Sequence, residues 1–241
     1  MPRKHPAVSN MRRTLLKSLA AGTLAGAGFS GLISHALAAG SGPQRKQGIY
    51  RLDGEATFNG KTLKVGDMPT LPLTVVTGPK TTLVFVVGAD AYLMRSNSHL
   101  ILTGNDAKTP TRVDSIKLIA GKLLSVFEKG ERTLTTTTAV AGIRGTGIYM
   151  ESEAERSYLC LCYGHAQIGP ISAPERAELF KTTHHESPRW VFPDRMEPAK
   201  VINHTDEELI MLESLTGRLP PFYYQWGYGE GILNDLAKTR Y

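Results

Sequence analysis

Two cysteines and a few histidines are the residues of this 241-residue chain whose types and spacing invite chemistry. Cys160 and Cys162 stand in Tyr158-Leu159-Cys160-Leu161-Cys162-Tyr163-Gly164-His165. The stretch reads as a strand ending at a glycine turn. Alternation places Tyr158, Cys160 and Cys162 on one face and Leu159, Leu161 and Tyr163 on the other. On an ideal strand the two cysteine Cα atoms are ~6.8 Å apart, the upper edge for a disulfide. A Cys160–Cys162 bridge therefore needs a bulge or bend. Two thiols on one face can instead both reach one soft ion, zinc or Cu(I). His165 closes the strand, and His184 and His185 lie in the polar run Thr182 to Pro188. Cys160, Cys162, His165 and one of His184 or His185 thus make a four-ligand set by residue type, although their spacing matches no named zinc signature. Two other readings stand beside it. Buried thiols can act as small hydrophobes while the histidines cap loops. A thiol nucleophile assisted by His165 needs an orienting acid and a cleft. Glu151, Glu153 and Glu155 are near in sequence but imply no arrangement around the thiols.

The elements that must position these residues follow from pattern. From residue 48, short β-branched runs alternate with turn signals at Asp53-Gly54, Asn59-Gly60, Gly66-Asp67, Gly78-Pro79, Gly88 and Gly104-Asn105. That spacing predicts successive strands, and no helix of useful length fits between 48 and 105. Thr81 to Val87 is apolar on both faces and so should be buried. Residues 114–129 are ambiguous: Ile116, Ile119, Ala120, Leu123, Leu124 and Phe127 fall at helical spacing, yet the stretch also divides into two strands around Gly121. Gly142-Ile143-Arg144-Gly145-Thr146-Gly147 lacks the lysine of a phosphate loop and the spacing of a dinucleotide fingerprint. It reads as a tight turn, with Arg144 capping turn carbonyls. Thr205 and Glu208 form a capping box opening a helix, Asp206 and Glu207 favour the positive end of its dipole, Leu209, Met211, Leu212 and Leu215 make its apolar stripe and Gly217 is its stop. His204, just before, reads as part of that cap. The helix is too short to persist alone in water, so it must dock on the β body. Beyond Pro220-Pro221, Phe222, Tyr223, Tyr224 and Trp226 form either a partner-binding or carbohydrate-stacking strip or an arm packed over the core.

Several of these pieces occur in an order that resembles the FecR domain. They are Gly54 to Phe58-Asn59-Gly60, Val65-Gly66-Asp67, Thr77-Gly78-Pro79, Ala91 to Ser98, Ile116-Lys117-Leu118, Gly121-Lys122-Leu123, Thr135 to Thr138 and Gly142-Ile143-Arg144-Gly145-Thr146. The resemblance covers about residues 52–150. It implies a periplasmic β module of iron-dicitrate-type regulators, and on it 114–129 is read as strand, glycine turn, strand. Those regulators carry a cytoplasmic helical segment and one membrane span before the domain. Here only a leader precedes it, which speaks against an anti-sigma role and leaves recognition or assembly.

That leader is basic over residues 1–17 and small and apolar to about 34. Arg12-Arg13-Thr14-Leu15-Leu16-Lys17 resembles a twin-arginine export signal, and Ala36-Leu37-Ala38 fits a cleavage site. A retained anchor is the alternative, but the apolar stretch is weakly hydrophobic and broken by Ser34 and His35. Arg3, Lys4, Arg12, Arg13 and Lys17 place +5 of the formal +6 in residues 1–38. The near-neutral remainder offers nothing to nucleic acid. Two cysteines exclude a disulfide scaffold and a four-thiolate zinc site.

The sequence therefore predicts a mainly β protein, solenoid-like or sandwich-like, with one short C-terminal helix. Its expected divisions are a signal peptide (1–38), a FecR-like domain (48–150), a Cys/His-bearing β extension (151–202) and a docked helix with aromatic tail (203–241). The expected role is non-enzymatic recognition or assembly in the periplasm with a protein partner, no catalytic residue, no membrane span after cleavage and a metal, zinc or copper, held by Cys/His. The alternatives are a metal- or thiol-dependent hydrolase and an iron-transport regulator acting in trans.

Overall fold

The structure, a computed structural model, describes residues 47–104 and 111–225. The leader, including Arg12, Arg13, Ala36 and Ala38, and Trp226 lie outside the described residues. No helix among the described residues is long and apolar enough to cross a membrane.

The chain is mainly β. Among the described residues fourteen strands form one open mixed sheet, followed by one short α-helix. The strands are β1 (Gly48–Asp53), β2 (Ala56–Phe58), β3 (Lys61–Thr62), β4 (Leu73–Thr77), β5 (Thr82–Val87), β6 (Asp90–Met94) and β7 (His99–Thr103). After them come β8 (Ser115–Val126), β9 (Glu131–Thr135), β10 (Ala139–Ser152), β11 (Ser157–Pro170), β12 (Glu178–Thr182), β13 (Arg189–Val191) and β14 (Met196–Pro198). Pairing is antiparallel except between β8 and β9. β10 and β11 pair from end to end, so the sheet runs without a break across residue 150.

The sheet is bent because its long strands change partners. The first half of β8 pairs with β7, and its second half with β6 and β10. Ser115–Val126 thus form one continuous strand kinked at Gly121, whose φ is +90°, and not the two strands about a glycine turn that the resemblance implied. Only glycine adopts that backbone without strain. The bend folds the sheet over an inner core in which Phe85 and Tyr92 stack at 5.0 Å beside Leu100, Ile116, Ile148 and Leu159. β5 is buried on both faces: Leu83, Phe85 and Val87 point into this core, while Val84 and Val86 point the other way.

That outer face is covered by α1 (Asp206–Leu215), whose Thr205 and Glu208 form the expected reciprocal capping box. Leu209, Met211, Leu212 and Leu215 pack on Val84, Leu93, Leu124, Tyr149 and Cys160. Buried Glu213 meets Tyr163 Oη and Arg218, and Glu208 pairs with Arg95, tying the helix to the sheet at both ends.

Two more local expectations are corrected. Residues 142–147 are not a tight turn but part of β10, with a bulge where the register to β11 shifts between Arg144 and Ile148. Arg144 is exposed there and does not cap turn carbonyls. The same bulge turns Tyr163 onto the outer face with the cysteines, away from Leu159 and Leu161.

Candidate functional site

Cys160 and Cys162 lie on the outer face of β11 and are fully buried, in contact with His185 and His204. Alternation alone aims both thiols the same way. Along the free edge of β11, β13 pairs with Ser157–Leu159 and β12 with Gly164–Ile168, leaving Cys160 to Tyr163 between them. The loop after β12 fills that gap. Its Glu186 carboxylate accepts from the Thr183 and His184 N–H groups. The His185 N–H donates to the Cys162 carbonyl at 3.0 Å. His185 has φ +60°, a costly backbone for a residue with a Cβ and one that often marks a functional position.

A third segment, leading into α1, supplies His204. Asn203 before it also has positive φ, +58°, and its amide donates to Glu151 Oε1 at 2.6 Å. The His204 ring stacks on Tyr149 at 4.6 Å. Four donor atoms consequently converge from three segments: those of Cys160, Cys162, His185 and His204 all lie within 4.8 Å of one another. Cys160 Sγ is 3.5 Å from His185 Nδ1, Cys162 Sγ is 3.4 Å from His204 Nε2, and the two ring nitrogens are 3.1 Å apart. The outer nitrogens are engaged behind them. His204 Nδ1 donates to the Ile202 carbonyl at 2.7 Å, and His185 Nε2 donates to Asp206 Oδ1 at 3.0 Å. His184 Nε2 donates to the same carboxylate at 2.8 Å, and its ring packs on Phe222 at 4.7 Å.

The electrostatics follow from this crowding. Interaction with the Cys162 thiol, with the two imidazoles adding to it, holds the Cys160 thiol far below the usual thiol range despite burial. Burial pushes Cys162 up. Burial alone would lower His185, but Cys160 and Asp206 on either side outweigh it and raise it. The cluster therefore favours a thiolate at Cys160 facing a cation. Two chemistries fit: a closed metal site of two sulfurs and two nitrogens, or a relay running Cys160–His185–Asp206.

Of the sequence-predicted ligands, Cys160, Cys162 and His185 come together. His184 supports Asp206 from outside the cluster. His165 does not join: beyond the bulge it is exposed, opposite Arg144 and Lys181. Its place is taken by His204, and the supporting acid is Asp206, residues the sequence assigned to the helix cap and helix dipole. The aromatic strip also divides. Phe222 is fully buried against Tyr163 and His184, and Tyr223 is buried, so neither is presented to a partner. Tyr224 is exposed.

No protein-family model matches the chain, and no curated protein matches it. Two crystal structures of a "putative anti-sigma factor" from Parabacteroides distasonis are similar to it at 7% identity, with TM-scores of 0.43 and 0.42. Each similarity covers 52% of this chain and 58% of that protein, so the chain spans little more than half of its length.

Proposed function

We propose that the protein is an exported, non-enzymatic β module of the FecR type, acting in recognition or assembly in the periplasm through a protein partner. In this reading the Cys/His cluster is structural and fastens the C-terminal segment to the sheet. The leader's twin arginines and the ordered FecR-like pieces support export and module type. One observation carries the non-enzymatic reading: the chain's two thiols are both fully buried, whereas a nucleophile must meet its substrate.

Thiol labelling of the full chain tests this. Cys160 and Cys162 should resist iodoacetamide in the native protein and react in denaturant. Rapid, stoichiometric native labelling at Cys160 with the fold intact would overturn it. Replacing Arg12-Arg13 with two lysines should hold the protein in the cytoplasm; unchanged export would remove the twin-arginine component.

A thiol hydrolase is the second reading, favoured by the Cys160 Sγ–His185 Nδ1 distance of 3.5 Å and the His185 Nε2–Asp206 distance of 3.0 Å. Fast labelling lost in Asp206→Asn would support it.

A further inference from the structure

The Cys/His cluster can be taken further by asking which atoms carry protons. A backbone carbonyl only accepts, so Ile202 fixes the proton of His204 on Nδ1 and leaves Nε2 with a bare lone pair. The Asp206 carboxylate likewise fixes a proton on His185 Nε2 and leaves Nδ1 as the inward atom. Two nitrogens presenting lone pairs to each other at 3.1 Å repel unless they share a cation.

The distances identify the kind of cation. A tetrahedral Zn²⁺ binds sulfur at ~2.3 Å and imidazole nitrogen at ~2.0–2.1 Å, which sets ligand-to-ligand edges of about 3.3–3.8 Å. Three edges here measure 3.5, 3.4 and 3.1 Å, and all four donor atoms lie within 4.8 Å of one another. Two thiolates neutralise a divalent ion, and the two imidazoles complete its shell. Magnesium and calcium require oxygen ligands. Cu(I) is selected by soft sulfur ligands, and half of this set is imidazole. Asp206 behind His185 is the carboxylate–histidine support common to metal sites. It accepts from His184 as well, so His184, His185 and Asp206 form the outer support of this centre and not a second site.

We infer that Cys160 Sγ, Cys162 Sγ, His185 Nδ1 and His204 Nε2 bind one Zn²⁺ in a closed tetrahedral site with no open coordination position. Binding deprotonates whichever thiols are still protonated and releases those protons to solvent; no electron is transferred. The site joins β11, the loop after β12 and the lead-in to α1. It stands whether or not the protein is of the FecR type.

The test is elemental analysis of the full chain purified without chelator or metal-affinity steps. About one zinc per chain is expected for the wild type and for His165→Ala, whose side chain is exposed. Cys162→Ser and His204→Gln should each lose it. Because a missing ligand can also unfold the protein, wild type stripped and refilled with Co²⁺ provides a second readout. It should show the intense visible bands of tetrahedral cobalt with a near-ultraviolet thiolate-to-cobalt band. Folded wild type that neither carries Zn²⁺ nor takes up Zn²⁺ or Co²⁺ would overturn the inference. So would copper or iron in place of zinc, an octahedral cobalt spectrum, or zinc retained by His204→Gln and lost from His165→Ala.

Discussion

Gly121→Ala should be among the costliest single-methyl additions to the sheet. The residue sits at φ +90°, where a side chain costs ~1–2 kcal/mol. The added Cβ would lie 2.5 Å from Ser98 Cα and 2.6 Å from Ser98 Cβ. Ser98 cannot easily withdraw, because its N–H donates to Thr77 Oγ1 at 2.9 Å and its hydroxyl accepts from Lys122 N–H at 2.9 Å. Crowding of that kind costs ~1–3 kcal/mol. Alanine returns ~0.4–1 kcal/mol by stiffening the unfolded chain. The net loss is about 2–4 kcal/mol, a lowering of Tm by roughly 4–16 °C for a chain of this size. Gly142→Ala is the control, since it lies exposed on β10 with nothing within 4 Å of its added methyl. It should stay within about 0.5 kcal/mol of wild type. Urea unfolding followed by circular dichroism measures both. Gly121→Ala within 0.5 kcal/mol of wild type, or Gly142→Ala costing as much, would refute the account of the bend.

Two further outcomes are expected. Burial pushes the Asp90 carboxyl up to about 6, even against the Arg132 guanidinium and the Glu128 N–H. Asp90 therefore favours the fold most at low pH, and that contribution is lost as pH rises through about 6. Arg132→Met removes the partner of a buried carboxylate and should cost about 3–5 kcal/mol at pH 8. Without Arg132 the Asp90 carboxyl takes its proton at still higher pH, so the loss should shrink as pH falls from 8 towards 6 and level off below; urea titrations across pH 5–8 that show a constant loss would refute this. Phe222→Ala empties a fully buried site beside His184. It should cost about 3–5 kcal/mol in urea unfolding and speed thiol labelling; unchanged labelling would mean that Phe222 does not shield the cluster.

Much of the fold is legible because it is local. The double-sided apolar run of β5 and the Thr205–Glu208 box are decided by neighbours in sequence. Cys160 and Cys162 share a face for the same reason. Residues 114–129 show where pattern stops: their helical spacing is overridden because Gly121 lets both halves pair with different strands. The site was half legible. His165, nearest in sequence, does not follow a glycine turn that could fold it back on the thiols: β11 continues through Gly164 to Pro170 and leaves the side chain exposed between Arg144 and Lys181. His204 is brought in only once α1 docks, and a histidine beside a capping box carries no mark of that destination. Its neighbour Asp206 looked like dipole complementation, and it is at once a helix-start acid and the support of two imidazoles.

The short connection between β10 and β11 has a consequence for how the chain can vary in length. The two strands pair up to Ser152 and Ser157, leaving the turn at residues 153–156 outside the ladder. A single residue inserted or deleted within Ser157–Cys162 would exchange Leu159 and Leu161 for the cysteines, sending thiols into the inner core and leucines onto the outer face. The same change in the exposed turn leaves that phase intact. Insertions and deletions should therefore be tolerated at 153–156 and excluded from the few residues that follow, whatever their composition.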